Sequence, residues 1–221
     1  MEPTAATLAP TPLIDSDHPD VVDFARRHAV GDDDRERAVA LYLAVRDGFR
    51  YDPYRIDLSA DGMRASGVLA RGYGWCVPKA ALLAAAARAV GIAARLGYAD
   101  VRNHLSTERL RRLLGTDLYI WHGYTELWLD GAWRKATPAF NLGLCERFGL
   151  LPLEFDGVSD SIYHPYDRAG QRHMEYVHQR GSFDDMPLER IAADIVATYP
   201  NWVAEPVSAD SFTADVEREN A

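Results

Sequence analysis

Cysteine is scarce in this chain, with Cys76 and Cys145 the only two. So small a supply cannot build a disulfide scaffold, which excludes the secreted disulfide-rich class and favours free thiols in a reducing compartment. Basic residues are also outnumbered: 24 lysines and arginines stand against 33 acids, for a formal net charge of −9. A general nucleic-acid binder needs a basic face for phosphate contacts, so that class is excluded as well. No apolar run reaches the roughly 18 residues of a membrane span. The best candidate, ALLAAAARAV, is broken at Arg88 and followed by Gly91. The opening MEPTAATLAPTPLID has neither a basic n-region nor a continuous apolar segment, so no secretory leader is expected. These absences predict a soluble, cytoplasmic protein that engages neither nucleic acid nor membrane, and they leave its oligomeric state open.

What is present suffices for a real core, since 48% of residues are hydrophobic and 26% charged. A first helix is expected to follow Asp17 as N-cap, with Pro19 in its first turn, and to end near Arg27. A second follows Asp32, Asp33 and Asp34, with Ala38, Leu41, Tyr42, Val45 and Phe49 at helical spacing and Gly48 as terminator. After RYDPYRIDL a Gly- and Ser-rich loop leads to RGYGWCVPKAALLAAAARAVG, where the helix begins at Val77-Pro78-Lys79 and Gly91 ends it. IAARLGYADVR reads as a strand, residues 106–114 as a polar helix, and DLYIWHGYTELWLDGAWRKATP as a hairpin turning at Asp130-Gly131. Residues 186–199 form a last helix with Leu188, Ile191, Ile195 and Val196 inward. Helices followed by strand and hairpin make an α+β pattern, not an alternating βαβ one. The expected division is a flexible N-terminus over 1–14, a core over 15–145, an elaboration or lid over 146–205 and a polar tail over 206–221. Within the lid, residues 150–185 are expected to cover the cleft, because long irregular segments are often binding loops.

Cys76 is the first residue that could carry chemistry. Unpaired N–H groups at a helix mouth favour a thiolate, lowering its pKa below about 8.5, and can hold a developing oxyanion. Taken alone, a lone cysteine is more often a small buried apolar residue. A thiolate also needs a base, and His122 is the best one. Alternation places His122, Tyr124, Glu126 and Trp128 on one strand face and Gly123, Thr125, Leu127 and Leu129 on the other. Trp75, Tyr51 and Trp121 are the expected pocket walls, with the Cys76 backbone N–H and Tyr51 or Trp75 steadying an oxyanion. Cys145 reads as a packing residue, and Arg102, Arg109, Arg111 and Arg112 as an exposed face. GYGWCV lacks the third glycine of a dinucleotide fingerprint. His173, Glu175 and His178 do not match metal-ligand spacing, so neither cofactor nor metal is expected.

Gly74-Trp75-Cys76, the alanine helix and Arg88-Ala89-Val90-Gly91-Ile92-Ala93-Ala94-Arg95 together resemble the nucleophile segment of the transglutaminase-like superfamily. The run from His122 to Leu129, with Asp130-Gly131-Ala132-Trp133 after it, is similar to that family's H-x-aromatic-x-E hairpin. Tyr51 sits where the family often has an aromatic. The likeness covers about residues 20–141. Papain itself fits less well, since its histidine lies about 130 residues or more beyond its cysteine, against 46 between Cys76 and His122.

The resemblance implies a papain-like α+β core, the nucleophile helix packed on an antiparallel sheet, and a Cys–His–Asp triad. It also implies acyl-thioester chemistry on a peptide, amide or acyl-thioester substrate, by hydrolysis or by transfer to an amine. A bacterial-type intracellular peptidase or amidase is the leading expectation, with a biosynthetic acyl-condensing or cyclising relative beside it. One position departs from the pattern: in Trp133-Arg134-Lys135-Ala136-Thr137-Pro138, Thr137 stands where the family has aspartate. Thr137 or Asn141 could orient the imidazole instead, or Asp156, Asp160 or Asp167 could fold back to do so. The missing acid also motivates a second expectation, a catalytically silent binding module.

Overall fold

Alanine dominates one helix, and that composition organises the molecule. The computed structural model describes residues 2–104, 106–162, 174–204 and 211–219. Around the helix α5 (Cys76–Ala89) every residue except the last is buried. A helix apolar on all sides must be enclosed on all sides. Helices α1 (Pro19–His28), α2 (Asp34–Gly48) and α4 (Ala65–Arg71) pack on one side of it, and an antiparallel sheet packs on the other. The sheet is formed by β3 (Ala94–Asn103), β4 (Leu118–Leu129), β5 (Ala132–Ala136) and β6 (Met174–Phe183), in the order β5-β4-β3-β6. Small side chains let helix and sheet approach closely. A Cβ on Gly123 would stand 3.0 Å from Val77 Cα, and Thr125 Oγ1 donates to the Ala80 carbonyl at 2.8 Å.

Local signals explain most of the remaining elements. The β4–β5 turn has positive φ at both Asp130 (50°) and Gly131 (80°), the tight-hairpin geometry that Asp-Gly favours. Gly91, at φ 86°, ends the α5 segment, and its N–H returns to the Arg88 carbonyl. Helix α6 (Glu108–Leu114) is capped by Thr107, whose hydroxyl accepts from Leu110 N–H. The architecture is α+β, with the nucleophile helix on an antiparallel sheet. Among the described residues no helix is long and apolar enough to cross a membrane.

Several expectations are corrected. His18, not Asp17, caps α1, its ring nitrogen accepting from Asp20 N–H. The loop before the nucleophile segment contains α3 (Ala60–Met63) and α4, and it returns through β2 (Tyr73–Gly74) to pair in parallel with β1 (Arg50–Tyr51). Strand β6 contains Glu175 and His178, whose segment reads as a solvated strand or a lid surface, and it forms a largely exposed sheet edge. Within residues 2–14, part of the stretch read as flexible, Leu13 and Ile14 are buried, and Arg88 donates to the Ala9 carbonyl. On α8 (Leu188–Thr198), Ile191 and Ile195 point inward, but Val196 is 50% exposed, one helical step past the buried stripe. Past the short helix α9 (Pro200–Ala204), the segment read as a polar tail forms α10 (Ser211–Glu219), with Phe212 and Val216 buried. Within the expected lid, helix α7 (Leu142–Phe148) and residues to 162 are described, whereas Asp167 and His173 lie outside the described residues.

Candidate active site

The parallel β1–β2 pair sets up the helix mouth. Tyr51 lies opposite Gly74 in register, and Asp52 N–H donates to the Gly74 carbonyl at 3.1 Å. Trp75 is extended and serves as N-cap, so Cys76 opens α5 with its thiol at the free amides. Backbone amides of Gly123, Val77 and Cys76 itself favour the thiolate. The expected low-pKa thiolate is nevertheless corrected. Cys76 is only 6% exposed, and burial pushes its thiol up to about 11, outweighing the three amides. At neutral pH the resting group is a thiol that needs a base.

His122 lines the same cavity as Cys76, Tyr51 and Trp75, and it is equally buried at 6%. Its backbone neighbour Gly123 packs on the helix mouth, where an added Cβ would stand 3.0 Å from Val77 Cα, which ties α5 and the histidine strand together at one point. As alternation predicts, Gly123 and Thr125 face α5, while Tyr124 and Glu126 turn to the other face, toward Gln179 and Ser182 of β6.

Trp121 departs from its expected role as a pocket wall. It adopts a left-handed backbone, φ 57°, beside a register shift between Ala99 and Val101. Such a conformation costs a non-glycine residue about 1–3 kcal/mol and persists only where the surroundings enforce it. Here Asp100 accepts from Trp121 N–H at 3.0 Å, and Asp194 accepts from the indole N–H at 2.8 Å. Arg180 bridges both carboxylates, at 2.5 and 2.8 Å, with its guanidinium 4.4 Å from the indole centre. The bulge therefore sends Trp121 against α8 and away from the Cys76 cavity, and it holds the backbone immediately before His122.

A second cavity that His122 also lines is bounded by Thr137, Phe140, Ile162 and Met174. The structure thus brings Thr137 to the histidine. Its hydroxyl donates to the Ile162 carbonyl at 3.0 Å, so its proton is committed while its oxygen can still accept. Asn141 is not brought there: its Oδ1 accepts from Tyr51 N–H at 3.1 Å, and it lines neither cavity. Asp160 accepts from Lys135 N–H of β5, and Asp156 accepts from Val158 and Ser159 N–H in a local turn, so both are engaged away from the histidine. Cys145 is a buried packing residue near the Phe140 carbonyl.

Sequence reasoning missed several residues here. Tyr199 and Trp202, from α8–α9 and its junction, wall the Cys76 cavity together with Asn103, Tyr119 and Met174; only a chain fold that brings distant segments together reveals them. Lys79 was read as a helix-starting residue, yet it is fully buried. The signal available was an ammonium one turn after Cys76, in a helix whose other charged residue, Arg88, lies in its last turn.

A thiol at the mouth of a buried helix, with an imidazole from the adjoining strand in the same cavity, defines a cysteine-type enzyme fold. Residues 23–138 match the transglutaminase-like superfamily, and the chain belongs to that superfamily. No match was found among curated proteins. A solved structure similar in fold is that of a putative cysteine protease from Cytophaga hutchinsonii, at 17% identity and a TM-score of 0.46, covering 80% of this chain. The chain spans 53% of that protein's length.

Proposed function

We propose that this protein is a cysteine-dependent acyl-transfer enzyme that works through a thioester on Cys76. The observation that carries the reading is the shared cavity, which Cys76 and His122 both line beside the contact of Gly123 with Val77. His122 takes the thiol proton as sulfur attacks the carbonyl carbon of a peptide, amide or acyl thioester. The oxyanion forms at the α5 mouth, where backbone amides and the Tyr51 hydroxyl supply donors. Burial raises the Tyr51 phenol well above its ordinary pKa, so the hydroxyl keeps its proton. As the tetrahedral intermediate collapses, the bond to the leaving group breaks and His122 returns the proton to it. Water or an amine then attacks the thioester and restores the thiol. A peptidase or amidase in the reducing cytoplasm is the preferred outcome, and a biosynthetic condensing enzyme would use the same first step.

Thr137 favours a second reading, a silent binding module, because a neutral hydroxyl cannot stabilise an imidazolium as a carboxylate does. One experiment decides between them. Incubation with a library of amides, peptides and acyl thioesters, followed by intact-mass analysis, should reveal an acyl adduct on wild type and none on Cys76→Ala. No adduct from any member would leave the binding module as the correct account.

Thr137 also makes its own prediction. Thr137→Val should lower the acylation rate about 5-fold, the worth of one neutral hydrogen bond, and shift the histidine limb of the pH–rate profile toward lower pH. Thr137→Ser should restore both. A rate change without a pH shift would reduce Thr137 to packing.

A further inference from the structure

The cavity that holds Cys76 and His122 is lined by chemically distinct groups. The thiol, the imidazole and the Tyr51 ring belong to it. The remainder of its wall includes Pro53, Val101, Leu114, Ile120 and Met174, and among the described residues no charged side chain lines it. The polar atoms of Tyr199, Tyr119 and Trp202 are already engaged elsewhere. Tyr199 hydroxyl accepts from Ile120 N–H at 2.8 Å and donates to the Leu118 carbonyl at 2.7 Å. Tyr119 hydroxyl donates to Ser106 at 2.8 Å and is bonded by the Asn103 side chain. Trp202 Nε1 donates to the Pro53 carbonyl at 2.8 Å. What these residues offer an occupant is therefore carbon surface, and a charged group entering here would lose its water without gaining a partner.

Trp202 limits this space. Its indole meets Trp75 edge-on with centres 6.0 Å apart and Tyr199 at 5.5 Å, and the hydrogen bond to Pro53 keeps the ring across the cavity. The cavity volume is about 30 Å³, so the indole and its neighbours leave little open space. Trp75 is the residue preceding the nucleophile, so the indole of Trp202 stands one ring away from Cys76.

We infer that the acyl group accepted by Cys76 is uncharged and apolar, and that Trp202 is the specificity-determining residue that sets its length. The inference rests on the thioester reading above. The test uses the full chain and a series of N-acetylcysteamine thioesters: acetyl, butanoyl, hexanoyl, octanoyl, decanoyl and succinyl. The rate of adduct formation on Cys76 is followed by intact mass for wild type, Trp202→Phe and Trp202→Ala, with circular dichroism to confirm folding. Wild type should prefer butanoyl over the similar-sized but charged succinyl by at least about 10-fold. Trp202→Ala should raise the octanoyl-to-butanoyl ratio about 10-fold or more, with a smaller rise for Trp202→Phe, which retains an aromatic wall and carries the test if the alanine variant does not fold. Acylation with an unchanged length profile in the folded variants would overturn the role of Trp202 while leaving the thioester reading intact. Equal use of succinyl and butanoyl would overturn the apolar acyl class. A wild type that forms no adduct with any member would sink the thioester reading and this inference with it.

Discussion

His122→Ala should slow alkylation of Cys76 by iodoacetamide at pH 7.5 by about 100-fold, and the difference should vanish above about pH 11. The reason lies in what burial does to the thiol. With its pKa pushed up to about 11, an unassisted Cys76 would be ionised in only about one molecule in three thousand at pH 7.5. A neighbouring imidazole that accepts the proton raises the reactive fraction, and positioned bases contribute about 10²–10⁴-fold. Wild type should therefore show a neutral-pH plateau, whereas the variant's rate should climb tenfold per pH unit until the thiol ionises unaided. Iodoacetamide is small and uncharged, so access through the cavity cancels in the comparison. Superimposable profiles for the two proteins would show that His122 does not act on Cys76, whatever cavity they share.

Lys79→Met should destabilise the fold by about 3–5 kcal/mol, read as a fall in the urea midpoint. The Lys79 ammonium donates to the carbonyls of Phe49, Ala139 and Arg46 at 2.6, 2.8 and 2.9 Å. All three hydrogens are thus used, two of them near the negative end of the α2 dipole. Methionine matches the stem but leaves three buried acceptors facing a thioether, and each orphaned polar group costs about 1–3 kcal/mol. Against a total stability of about 5–15 kcal/mol, that loss is large. It should also depend on pH. Burial pushes native Lys79 down to about 7, from an ordinary 10.5. Below both values folded and unfolded chains are equally protonated; between them the unfolded chain binds more protons, so this group's contribution to stability increases as pH rises. The gap between wild type and variant should therefore widen from pH 7 to 10. A loss under about 1 kcal/mol at every pH would mean that water replaces the ammonium at no cost.

The legible parts of this protein are those whose cause is local. Alanine after Val77-Pro78 announces a buried helix, Gly91 ends that segment by accepting a positive φ, and Asp130-Gly131 turns the hairpin for the same reason. Alternation along β4 groups Gly123 and Thr125 on one face, and that face packs on the helix. From these local patterns alone Cys76 and His122 could be proposed as a pair, and they do line one cavity.

What local pattern could not reveal depends on groups far along the chain. The helix mouth argues for an acidic thiol, but its pKa rises because distant segments exclude water from it, and periodicity carries no measure of that exclusion. Trp121 turns away from the cavity because Asp100, Arg180 and Asp194 together hold an unfavourable backbone angle. Asn141 is drawn off to Tyr51, while Thr137 reaches the histidine cavity. The sequence by itself determined the α+β class, the nucleophile helix, the histidine hairpin and the missing acid, because spacing along one element decides which face is apolar. Only the tertiary structure decided the protonation of Cys76, the burial of Lys79 and the aromatic wall at Trp202, because desolvation and hydrogen-bond partners are set by whatever folds across from a residue.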